Sequence, residues 1–122
     1  MAGTRVVFYQ EESCTVPLLE WFDEIPKKAL VKCHLKIAKL REVGHELRRP
    51  EADYPRDEIC ELRVSLQGTQ YRVLYFFHGN VAAVVSHGIV KERVVPPKEI
   101  DLAVKRKRLF EQAPKRHTYE EA

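Results

Sequence analysis

The chain has 122 residues, a net charge of +3, and hydrophobic and charged shares of 44% and 32%, which suits one globular domain with a real core and is too short for two. No apolar run approaches the roughly 20 residues that cross a bilayer, and the N-terminus carries no apolar secretion segment, so a cytoplasmic protein without a membrane partner is expected. The three cysteines, Cys14, Cys33 and Cys60, are odd in number and lack a C-x-x-C pair; reduced thiols are expected rather than a disulfide frame or a zinc site.

Arg5 to Tyr9 (R-V-V-F-Y) reads as a short first strand, β-branched and aromatic. Pro17 opens a short helix in which Leu18, Trp21, Phe22 and Ile25 recur at helical spacing, and Pro26 ends it. A second helix is predicted from Lys27 to Val43. Leu30, Cys33, Ile37 and Leu40 form its apolar stripe, widened by Leu35 and Ala38, while Lys28, Lys32, Lys36 and Lys39 line the opposite face and Gly44 stops it. The two segments form a helical hairpin with a shared apolar face. Residues 45–57 read as a long connection interrupted by Pro50 and Pro55, and they carry Arg48, Arg49 and Arg56.

Ile59 to Leu66, Gln70 to Phe77 and Val81 to Gly88 read as an antiparallel meander. Alternation sends Cys60, Leu62, Val64 and Leu66 to one face, and Glu61, Arg63 and Ser65 to the other. Turns at Gln67-Gly68 and Gly79-Asn80 are predicted to hold two residues each, which pairs Arg63 with Arg72 and Arg72 with His87. A one-residue slip would flip a strand and break this row. The last helix runs from Pro97 to Phe110, with Glu99 and Asp101 toward its positive end and K-R-K-R at 105–108 toward its negative end; Ile100, Ala103, Val104 and Leu109 dock it. The domain thus spans 1–113, and 114–122 is expected to be a frayed polar tail. The fold class is α+β.

Two arginines and a histidine in a row suit a phosphate. Arginine supplies a fixed charge and a planar fork of donors, and histidine exchanges protons near neutral pH. Lys91 and Arg93 add charge just past the third strand of the meander. Metal-free RNA cleavage needs a base for the 2′-hydroxyl, cations for the phosphate and an acid for the leaving oxygen, with no cofactor. The competing reading makes Arg63 and Arg72 an ordinary strand face paired with Glu61, His87 a hydrogen-bonded strand-end histidine, and the lysines and K-R-K-R solvated helix faces. Tyr71 and Tyr75 share a face with Val73 and Phe77 and read as core; no histidine, cysteine or carboxylate cluster has metal-ligand spacing.

E-L-R at 61–63, Y-R-V-L-Y-F-F from Tyr71, H-G-I-V-K-E-R from His87 and P-P-K-E-I-D-L-A-V-K-R from Pro96 together resemble the phage-derived HigB-like branch of the RelE/ParE toxin superfamily. That resemblance implies an N-terminal strand and helical hairpin on a twisted antiparallel sheet with a C-terminal helix. It also implies a type II toxin–antitoxin toxin that cuts mRNA on the ribosome without a metal, and a cognate antitoxin carrying a helix-turn-helix domain. By the same resemblance Arg72, His87, Arg63 and Lys91 are the catalytic candidates, and Arg93 lies where the family often keeps basic charge; with Arg48, Arg49 and Arg56 of the long connection it is a candidate for RNA binding. The chain departs from the family in having Lys91-Glu92 for two lysines, Ile89 for a phenylalanine, and Pro96-Pro97 near the place of a catalytic tyrosine. A ParE-like gyrase binder and a degenerate member that only binds its antitoxin are the alternatives.

Overall fold

A computed structural model describes residues 4–47, 51–79, 82–90 and 95–120. In chain order the elements are β1 (Arg5–Tyr9), α1 (Pro17–Phe22), α2 (Lys27–Val43), a 3-10 turn (Gly44–Glu46), β2 (Ala52–Arg56), β3 (Ile59–Leu66), β4 (Thr69–His78), β5 (Ala82–Val90), α3 (Pro97–Gln112), a second 3-10 turn (Pro114–Arg116) and β6 (Thr118–Tyr119). Among the described residues the strands form one six-stranded sheet in the order β2-β3-β4-β5-β1-β6. Pairing is antiparallel except between β1 and β5, which run parallel. This is the α+β arrangement that the RelE/ParE resemblance implies.

Strand alternation splits the core into two layers. One face, with Val6, Phe8, Leu62, Val64, Val73, Tyr75 and Val85, packs against Leu18 and Phe22 of α1 and Ala29, Cys33, Ile37 and Leu40 of α2. The other, with Val7, Tyr9, Leu74, Phe76, Val84 and Ile89, packs against Ile100, Ala103 and Phe110 of α3. Tyr71 and Tyr75 are core, as their face assignment predicts. Cys33 and Cys60 are buried free thiols, pushed up to about 12 by that burial.

The β3–β4 hairpin follows the predicted register. Leu66 pairs with Thr69 and Arg63 with Arg72, and both turn residues, Gln67 and Gly68, take the positive φ that a two-residue hairpin loop of the primed type requires. The β4–β5 register corrects the expected Arg72–His87 pair. His78 pairs with Ala82, so the turn is one residue longer than predicted, and a bulge between the Tyr75–Val85 and Leu74–His87 pairs adds another. Arg72 therefore lies opposite Ile89, and His87 opposite Leu74. The net shift of two residues keeps His87 on the face of Arg72, because side chains repeat every second residue.

The other corrections concern packing. Leu35 does not widen the buried stripe of α2: it is 65% exposed, and Ala38 is exposed too. The connection at 45–57 contains the edge strand β2, with Pro55 tolerated because an edge strand leaves some N–H groups unpaired. Residues 114–120 are not frayed, since β6 pairs with β1 and His117 is buried against Tyr9. The K-R-K-R run is not wholly solvated, because Arg106 is buried in the α3 interface.

Candidate active site

The face under α3 carries the polar residues. Register places Asp53 opposite Glu61, and Arg63 opposite Arg72. Like charges directly across a strand pair repel, and the two carboxylates between and beside them offset this. Glu61, only 3% exposed, accepts hydrogen bonds from Arg72 Nη1 at 3.0 and 3.2 Å and from Arg63 Nε at 3.1 Å. Asp53 accepts from Arg63 Nη2 at 2.6 Å. The expected phosphate arginines are thus brought together, with their charges already met by protein carboxylates. Arg72 keeps a buried Nε–H without a partner.

His87 sits one row away, on the same face. The bulge at Ser86 aims it there: with regular alternation from Val84, residue 87 would point to the helical hairpin instead. Its Nδ1 lies 2.8 Å from the Ser86 hydroxyl and its Nε2 lies 3.0 Å from Glu99 Oε1 in the first turn of α3. Burial, and next the Arg106 guanidinium, push its pKa below the ordinary histidine value of 6.5, against the upward pull of Glu99. The ring is therefore neutral at pH 7. One assignment satisfies both contacts: Nε2–H donates to Glu99 and Nδ1 accepts the Ser86 hydroxyl proton. Glu99 is the more accessible end of this chain, with its side chain 23% exposed against 9% for His87.

Arg106 reaches the same region from α3. Its guanidinium lies 5.4 Å from the centroid of the Tyr9 ring, and Nη2 donates to Glu11 at 3.3 Å. Arg56 donates to Asp101 at 2.7 Å and to Pro97 O at 3.3 Å, and also bonds Asp57, so it ties β2 to the start of α3. Lys91, Arg93, Arg48 and Arg49 lie outside the described residues. On α2, Lys36 and Lys39 both pair with Glu51 and Lys32 donates to Ser65 O, so much of the lysine face is engaged.

Sequence reading missed Ser86, Glu99 and Arg106 as members of this cluster. Arg106 was within reach: Ile100, Ala103 and Phe110 mark the buried stripe of α3, and position 106 falls on it. Ser86 carried no signal, since a bulge depends on two strands at once.

No curated protein matches the chain. A family model described as phage derived protein Gp49-like (DUF891) matches residues 20–108, a span that takes in the end of α1, all of α2, the meander and most of α3. By that match over most of its length, the chain belongs to the phage-derived Gp49-like family.

Proposed function

We propose that this chain is the toxin of a type II toxin–antitoxin system and an endoribonuclease that cuts ribosome-bound mRNA by metal-free attack of the 2′-hydroxyl. The observation that carries this reading is the His87–Glu99 pair, set on the sheet face that also holds Arg72 and next to Arg106. The family supports the toxin half, being associated with toxins of toxin–antitoxin systems. In the reaction the 2′-oxygen attacks the adjacent phosphorus and the bond to the 5′-oxygen breaks, leaving a 2′,3′-cyclic phosphate and a 5′-hydroxyl. Glu99 takes the 2′ proton while His87 holds the carboxylate through Nε2–H, solvent water protonates the departing 5′-oxygen, and Glu99 then returns its proton to the hydroxide so formed. Arg72 and Arg63 stabilise the charge that builds on the phosphate, with Lys91 and Arg93 adding to the field. The cognate antitoxin, a helix-turn-helix protein, is the proposed partner, and the cytoplasm the proposed location.

One observation favours a second reading. Glu61 and Asp53 together neutralise Arg63 and Arg72, which suits a surface that binds, as in a ParE-like gyrase inhibitor, better than one that cuts.

Induction of the wild type and of Glu99→Gln, with mapping of transcript 5′ ends and of plasmid supercoiling, separates the readings. New in-frame ends in translated messages are expected for the wild type. In Glu99→Gln they should fall by about 10²–10⁴-fold at an unchanged thermal midpoint. Intact messages with lost supercoiling would establish the gyrase binder, and neither effect would leave antitoxin binding as the remaining role.

A further inference from the structure

Arg106 is held in an unusual way for a buried cation. The residue is 9% exposed, yet both Nε and Nη1 lie buried without a hydrogen-bond acceptor. Its partners are a tyrosine ring face and one carboxylate, Glu11, at the long distance of 3.3 Å. Buried donors are nearly always satisfied, and an unsatisfied pair on one cation points to a missing acceptor. Arg72, on the same sheet face, has a buried Nε–H in the same condition. An anion rich in oxygens would meet the open donor and the buried charge together. The Glu11 end of the pair is the more exposed one: the Glu11 side chain is 40% exposed and that of Arg106 11%.

We infer that Arg106 is an anion-binding residue, whose open Nε–H, together with the Nη2 that Glu11 now occupies, takes two oxygens of a phosphate group seated beside the Ser86–His87–Glu99 chain. This deepens the nuclease reading and rests on it only for naming that phosphate as an RNA phosphodiester. Arg106 then adds its charge to those of Arg72 and Arg63, which are already shared with Glu61 and Asp53. The fork geometry and permanent charge of arginine suit this, and a lysine would fit less well. Glu11 acts as the stand-in acceptor that the phosphate displaces. A bound anion also relieves the repulsion between Arg106 and a protonated His87 ring.

The test is an NMR titration of the full chain with inorganic phosphate at constant ionic strength, following the His87 ring, assigned with His87→Asn. In the wild type, phosphate should bind saturably and raise the pKa of His87. Arg106→Gln should bind phosphate about tenfold more weakly or worse, the loss of one charge-assisted hydrogen bond, and its His87 should ignore phosphate. Glu11→Gln should bind more tightly than wild type, a gain that misfolding does not mimic. No response in the wild type, or equal affinity in Arg106→Gln and looser affinity in Glu11→Gln, would overturn the inference. Cleavage of RNA with no phosphate response would sink this inference alone. Phosphate binding without cleavage would sink the nuclease reading and leave the anion site standing.

Discussion

His87 is the residue at which burial, charge and proton chemistry meet, and its protonation links the site to the stability of the whole fold. Burial and the neighbouring Arg106 hold its pKa below 6.5 in the folded chain. As pH falls below about 6.5, the unfolded chain takes up a proton that the folded chain refuses. The unfolded state then binds more protons, so stability falls with acidification down to the folded value and is flat above about 6.5. Each pH unit in that window changes stability by at most about 1.4 kcal/mol. Urea unfolding between about pH 5 and 7.5 should show this loss in the wild type and a shallower one in His87→Asn. Equal slopes in the two proteins would show that His87 is not the group responsible. Glu61 works in the opposite sense: it draws two arginines into the sheet and fixes their geometry, while reducing the field that a phosphate would meet. That balance sets the nuclease and binder readings apart.

Among the elements, β5 does most to build the site. Its bulge turns His87 to the α3 face, and the next residue, Gly88, returns to the hairpin face where Trp21 of α1 lies over the backbone. A Cβ at Gly88 would sit 2.2 Å from Trp21 Cε3, so the indole or the strand must move. Gly88→Ala should cost about 2–3 kcal/mol by overpacking, read as a lowered urea midpoint at unchanged slope. A midpoint equal to wild type would mean that α1 does not pack on β5 as described. Such close approaches show why only part of the site was legible in the sequence. Apolar periodicity located α1, α2, β3, β4 and α3, and turn counting placed Arg63 opposite Arg72. The Arg72–His87 pair failed because turn length and bulge are set by packing on both faces, which a single strand does not encode. Edge strand β2 was missed because its turn uses Asp57 and Glu58 at positive φ, where glycine or asparagine is the usual signal. The predicted face of His87 nonetheless held, because two one-residue errors sum to an even shift.

At the scale of the whole molecule, helices cover both faces of the sheet, and the site lies between the sheet and α3. No helix among the described residues is long and apolar enough to cross a membrane. The segment after α3 closes the sheet edge that β1 would otherwise present, through pairs of Phe8 with Tyr119 and Tyr9 with Thr118. The His117 ring stacks on Tyr9 at 5.1 Å and its Nδ1–H donates to Gln10 O at 2.9 Å, while Arg5 bonds both carboxylate oxygens of Glu120. Tyr9 in turn supports Arg106 by its ring face, so this segment reaches the site through two stacked contacts. Removing residues 113–122 should therefore cost about 2–4 kcal/mol, from two lost ring contacts and the hydrogen bonds around Gln10. It should also expose the unpaired β1 edge, a template for strand addition between copies. Size-exclusion chromatography at rising concentration should show association of the truncated chain and not of the full chain, alongside a lower melting midpoint. A truncated chain that stays monomeric with an unchanged midpoint would mean that β6 and His117 contribute nothing to the fold, and the support they lend to Tyr9 and Arg106 would have to come from α3 alone.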